Sequence, residues 1–198
     1  MSTIRLLPAI ALILAMTSLS WADYQTGAAA FTEGDYTTAL RELEPLAVQG
    51  DASAQFLLGV MYGIGEQVRQ DYAESFRWFH EAALQGHAAA QLCLGMMYRE
   101  GKGTEQNLPA AVKWFGKAAD QGNANAQFIL GEMYRTGEGV RKDPVQAHVW
   151  FNLAAIRGRK DAAEARDSLA RKMTSRQIAQ AHAKARNWKR SSQKNPAR

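Results

Sequence analysis

The side chains of this chain best suited to chemistry are His80, His87, His148, His182 and Cys93. A metal site needs three or four such ligands converging at fixed spacing, and these are scattered along the sequence. No His-Glu-x-x-His and no Gly-x-Ser-x-Gly occurs. The doublets Gly63-Ile64-Gly65, Gly101-Lys102-Gly103 and Gly137-Glu138-Gly139 look like the start of a phosphate loop. They lack a third glycine, a preceding strand and a Walker lysine, so they read as turns. Ser191-Ser192-Gln193-Lys194 has the Ser-x-x-Lys spacing of penicillin-recognising enzymes. It falls in an aperiodic stretch, 191–198, that reads as a disordered basic tail, where nothing could hold a base or an oxyanion hole. These residues predict no catalytic group, no metal and no cofactor.

What does stand out is self-similarity. Ala54-Gln55-Phe56-Leu57-Leu58-Gly59-Val60-Met61-Tyr62 recurs from Ala90 to Tyr98 and again from Ala126 to Tyr134. A second block recurs at the same offset: Trp78-Phe79, Trp114-Phe115 and Trp150-Phe151, each followed by an alanine pair and then by Gly86, Gly122 or Gly158. Two helix-length segments per copy mark an all-α helical solenoid. Asp71, Asn107 and Asp143 stand where helix N-caps are needed. Gly86, Gly122 and Gly158 suit the left-handed position after a helix, and Gly65, Gly101 and Gly137 close the first helix of each copy in the same way.

On a helical wheel the residues shared by all copies fall on one half of the first helix. Gly59, Gly95 and Gly131 lie on that half. Each costs about 1 kcal/mol against alanine in a helix interior, which predicts close approach of a neighbouring helix. The tryptophans and phenylalanines of the second helix should wedge between consecutive copies as core. His148 replaces Phe76 and Val112 on the packed face and reads as a core histidine with its hydrogen bonds satisfied. Cys93 replaces Leu57 and Ile129 and reads as a buried hydrophobe.

The pattern Ala-x-Ala-Gln-x-x-Leu-Gly-x-Met-Tyr, then Gly-x-Gly-Val, then Asp-x-x-x-Ala-x-x-Trp-Phe-x-x-Ala-Ala-x-x-Gly resembles the Sel1-like repeat, a relative of the tetratricopeptide repeat. Gln67 departs from it where the other copies have Gly103 and Gly139, and Thr104 stands where valine is usual. The resemblance implies a right-handed α/α superhelix whose stacked helix pairs serve as a protein–protein adaptor, often at the bacterial envelope. Some cysteine-rich relatives are linked to penicillin binding or hydrolysis, so a cell-wall enzyme or β-lactam-binding protein is the alternative. Their paired cysteines are absent here.

The copies are bounded at 52–87, 88–123 and 124–158. Residues 23–51 read as an N-terminal capping pair and 159–190 as C-terminal capping helices, the last opened by the box Thr174-Ser175-Arg176-Gln177. Residues 1–22 read as a signal peptide. Arg5 precedes a short apolar run, and Ser20-Trp21-Ala22 sets small residues before a cut at Asp23. The run is too short for a membrane span, so the expected product is periplasmic or secreted and not an integral membrane protein. A lone cysteine permits no internal disulfide there.

Expected partner contacts lie on the variable half of the first helices, facing a concave surface: Phe56 and Val60; Leu92, Met96 and Arg99; Phe128, Glu132 and Arg135. Mixed apolar and charged character suits a protein partner. Residues 157–198 hold 13 Lys or Arg against Asp161, Glu164 and Asp167, within a chain of net charge +5. Arg176, Lys184, Arg186, Lys189 and Arg190 are therefore candidates for an anionic envelope component. Export argues against nucleic acid, although charge alone would allow it. Along the third copy's second helix, Val149, Leu153 and Ile156 form an apolar stripe on the face expected to meet water, and the last helix should fold back over it. The signal reading is checked by intact mass: material recovered outside the cytoplasm should begin at Asp23, and a mass that retains Met1 would overturn it.

Overall fold

The computed structural model describes residues 23–194, with side chains as far as Trp188; the expected signal segment and residues 195–198 lie outside the described residues. Every regular element among the described residues is helical. Helix α1 covers residues 23–33. It is followed by α2 (Tyr36–Val48), α3 (Ala52–Ile64), α4 (Tyr72–Leu84), α5 (Ala88–Glu100) and α6 (Leu108–Asp120). Then come α7 (Ala124–Thr136), α8 (Pro144–Ile156), α9 (Lys160–Ala170) and α10 (Ser175–Lys194). The chain divides into two compact units, one ending at Ala82 and one beginning at Ala83.

Most of the helices start where a polar side chain takes up free backbone N–H groups; α9, preceded by Arg159, does not. Asp71 accepts from the amides of Ala73 and Glu74, Asn107 from Ala110, and Asp143 from Val145 and Gln146. First helices are capped too, by Asp51, Asn123 and His87, whose Nδ1 accepts from the Ala90 amide at 3.2 Å. Such caps contribute about 1 kcal/mol each. Glu74 turns to Arg77 instead of closing a box with Asp71. The box at Thr174 does close: its amide donates to Gln177 Oε1 and its hydroxyl accepts from the Gln177 amide.

In the first unit, Leu43, Leu46, Leu58, Met61 and Trp78 form the core with alanines from α1, α2 and α3. In the second, Phe115, Leu130 and Met133 are enclosed with the alanines of α6 and α7, and Trp150 packs against them. The aromatic pair therefore divides its work. Tryptophan reaches the preceding helices, as expected, but phenylalanine stays within its own repeat. Phe79, Phe115 and Phe151 lie on the glycines of the paired first helix. A Cβ added to Gly59, Gly95 or Gly131 would sit 2.6, 2.7 or 2.5 Å from the ring Cδ1. The glycines are there because no side chain fits beneath the ring.

The last helix folds back. Ala181 and Ala185 of α10 cover Val149 and Leu153 of α8, with Val145, Trp150, Met173 and Trp188 around them. Trp188 packs edge-on against Trp150 at 6.2 Å and donates its indole N–H to Asp120 Oδ1 at 3.0 Å. Ile156 is the correction: it is 62% exposed, beyond the reach of the alanine side chains. A second correction concerns the C-terminus. Helix α10 runs through Ser191 to Lys194, part of the stretch expected to be disordered. Once a helix is nucleated and seated, each further residue adds a backbone hydrogen bond at little cost.

Two measurements check this packing. Gly131→Ala should destabilise the protein by about 1–3 kcal/mol in denaturant unfolding, despite alanine's better helix propensity, because Phe151 must move. Unchanged unfolding would refute the glycine contact. Truncation after Met173 should lower stability by several kcal/mol and cause self-association, since the Val149–Leu153 stripe loses its cover. A truncated protein that stays monomeric and equally stable would contradict the fold-back.

Candidate partner-binding surfaces

On α5 and α7 the residues common to all repeats point into the core. Ala90, Gln91, Leu94, Gly95 and Met97 are buried, and so are Ala126, Gln127, Leu130, Gly131 and Met133. The positions that vary between repeats keep access to solvent: Leu92, Met96 and Arg99 on α5 and Phe128 and Glu132 on α7 are half-buried, and Arg135 is exposed. In the first unit Phe56 and Val60 hold the same register and the same half-buried state, Phe56 resting 5.8 Å from the Phe79 ring.

The charges on this strip are already engaged. Arg99 makes a two-pronged bond to Glu138 in the α7–α8 loop, Nε to Oε1 at 2.7 Å and Nη2 to Oε2 at 2.9 Å. That hydrogen bond, more than the charge itself, raises the Arg99 pKa. Arg135 pairs with Glu132 one helical turn away. The strip therefore presents apolar side chains framed by neutralised ion pairs, not free cations. Arg99 also ties α5 to the next turn, so replacing it disturbs the repeat as well as the surface.

Phe128 is shared. It packs against Phe151 at 5.6 Å, and the Arg159 guanidinium covers its other side at 4.1 Å. Arg159 also donates to Asn125 Oδ1 at 2.6 Å and pairs with Asp161. Sequence reasoning did not select Arg159 or Glu138 as parts of an internally bonded set. One signal was present: Arg159 occupies the cap register of Asn123 but has no acceptor for a helix N-terminus, and it makes no cap bond. A long cation in a cap position is free to lie over a neighbour.

The second surface is the outside of α10. Arg176, Lys184 and Arg186 are exposed, while Ala181 and Ala185 face inward. No acidic residue occurs between 175 and 194. Lys189 and Arg190 lie in the same helix, and only their backbone is described.

Of the groups with chemical potential, His148 and His182 are brought together, their ring centroids 5.4 Å apart. Among the described residues no three His, Cys, Asp or Glu gather where they could hold a metal ion. Burial pushes the Cys93 thiol up to about 11, so it is protonated at neutral pH and a poor nucleophile. His148 corrects the expectation of a satisfied core residue. It is 2% exposed, as expected, but its Nδ1 has no hydrogen-bond partner. No helix among the described residues is long and apolar enough to cross a membrane.

Comparison with known proteins sets these surfaces in context. The family model for the Sel1 repeat matches residues 52–87, 88–123 and 124–158. A Sel1 repeat protein from Oxalobacter formigenes is 34% identical, with a TM-score of 0.68 over 70% of this chain and 57% of its own. The protein c5321, described as a protective antigen present in uropathogenic Escherichia coli strains displaying an SLR fold, is 27% identical, with a TM-score of 0.60. That match covers 85% of this chain and 45% of c5321. Cysteine rich protein B of Helicobacter pylori is 26% identical, with a TM-score of 0.50 over 62% of this chain and 93% of its own. This chain thus spans less than two thirds of the length of the first two. A search of curated proteins returned no match.

Proposed function

The chain belongs to the Sel1 repeat family, whose helical solenoids are typical protein–protein interaction scaffolds, and from that premise we propose that it is an exported adaptor in a bacterial envelope complex. Its partner-binding surface is the variable strip of α5 and α7. One observation carries this reading: the residues shared by the repeats on those two helices are buried, apart from the half-buried Ala88, Tyr98, Ala124 and Tyr134, and every position that differs retains solvent access. Packing consumes the constant half of each helix, and the variable half is left for recognition. Leu92, Met96 and Phe128 supply apolar anchors, and the Arg99–Glu138 and Glu132–Arg135 pairs supply a polar rim, the composition expected of a moderate-affinity interface.

Export rests on the N-terminal pattern of Arg5, the apolar run and Ser20-Trp21-Ala22, supported by the description of c5321 as an antigen. A reaction of the cysteine-rich type draws no support from a single, protonated thiol. The basic face of α10 favours a second contact, with an anionic component of the envelope, because three exposed cations stand on a helix that carries no acid.

The adaptor reading is tested with a photo-crosslinking amino acid placed in living cells at Met96, at Glu132 or at Lys113, the last exposed on α6. The same protein adduct should form from Met96 and Glu132 but not from Lys113. Adducts from Lys113 alone, or from no position, would overturn the assignment.

A further inference from the structure

His148 is placed where the other repeats put Phe76 and Val112. A phenyl or isopropyl group there would leave no buried polar atom, whereas the imidazole leaves Nδ1 without a partner. Buried nitrogens are seldom left unpaired, because the lost hydration is not replaced. The ring lies 5.4 Å from that of His182, with their planes at 58°. His182 is on α10 and is exposed, so two imidazoles face each other across the seam that holds α10 on the protein. The seam is thin. On the α10 side its fully enclosed groups are Ala181 and Ala185, set against Val149 and Leu153 of α8.

The charged and titratable groups facing His148 come from two elements. His182 belongs to α10, and Arg166 and Asp167 belong to α9. The Arg166 guanidinium donates to Asn152 Oδ1 at 3.1 Å and pairs with Asp167, an exposed carboxylate. On α7, the other helix packed against α8, Glu132 and Arg135 pair with one another. A proton on His148 would therefore enter a buried site beside a second imidazole and a guanidinium, with one solvent-exposed carboxylate in opposition.

We propose that His148 and His182 form an acid-sensitive latch: with His148 neutral, α10 stays docked on α8, and protonation in mildly acidic conditions releases α10 and bares the Val149–Leu153 stripe. Burial first, then His182 and Arg166, hold the His148 imidazole below the ordinary value of 6.5, and Asp167 opposes them. The docked form thus binds fewer protons than the released form, in which the imidazole meets water. Docking is at full strength above the ordinary value and weakens as pH falls from there through the lowered value of the docked state.

Hydrogen–deuterium exchange of the purified chain at about pH 7.5 and about pH 5.0, corrected for intrinsic amide rates, reads the latch directly. Protection of α10 should fall at least severalfold relative to α7 at the lower pH, because the released form binds the proton that the docked form disfavours. His148→Phe, the side chain of the first repeat at this position, should keep α10 protected at both values. His148→Val, the side chain of the second repeat, provides the same test should phenylalanine overpack the seam. Wild-type α10 equally protected at both values would overturn the latch, as would variants that open on acidification as the wild type does.

Discussion

The contact between a phenylalanine ring and a bare helix backbone sets the geometry of every repeat. Phe79, Phe115 and Phe151 each lie where a side chain on Gly59, Gly95 or Gly131 would have to be. The glycine lowers intrinsic helix stability, and the ring offsets that by burying a large apolar surface and fixing how closely the two helices approach. The Trp78 and Trp150 positions, one residue before the ring, are thereby turned toward the preceding helices. The variable side of the first helix keeps access to solvent, with Phe56 and Phe128 at its edge against the ring. Structure and surface follow from one missing Cβ per repeat.

A second interaction joins each repeat to the helix before it. Gln55, Gln91 and Gln127 donate their side-chain amides to the carbonyls of Ala47, Ala83 and Ala119, in the last turns of the preceding helices. Each of those carbonyls already accepts from the backbone N–H of the glycine that follows its helix, Gly50, Gly86 or Gly122, and the buried amide occupies its second lone pair. Gln121 completes the arrangement by donating to Gln91 Oε1 and to the Gly86 carbonyl. One repeat later Arg157 takes its place, its guanidinium lies against Gly122, and Gln127 Oε1 is left unpaired. The network frays where the repetition stops.

Much of this was legible in the sequence because repetition supplies its own alignment. Three copies of one pattern separate residues that must be constant from those free to vary, and the caps, the left-handed glycines and the buried half of each first helix all emerged as read. The fold-back of α10 was legible from Val149 and Leu153, which break the polar pattern of their helix. Ile156 looked equivalent on a wheel, but a wheel does not record where the covering helix runs. The phenylalanines were misassigned for a related reason: periodicity shows which face is buried and not which neighbour buries it. The Arg99–Glu138 bond joins residues 39 positions apart, and no local pattern encodes it. The unpaired nitrogen of His148 likewise depends on what surrounds it, which burial alone does not reveal.

The seat of α10 also constrains how an array of this kind can change in length. Val149, Trp150 and Leu153 come from α8 and Asp120 from α6, so the closing helix is bound to the side chains of the two final repeats. A duplicated cassette inserted after Gly158 would separate α10 from its seat and leave an apolar stripe in the interior of the array. The same cassette inserted before Ala88 would leave the seat intact. Growth by repeat duplication is therefore polar: the chain can lengthen from its N-terminal side while the C-terminal pair travels as one inherited terminus.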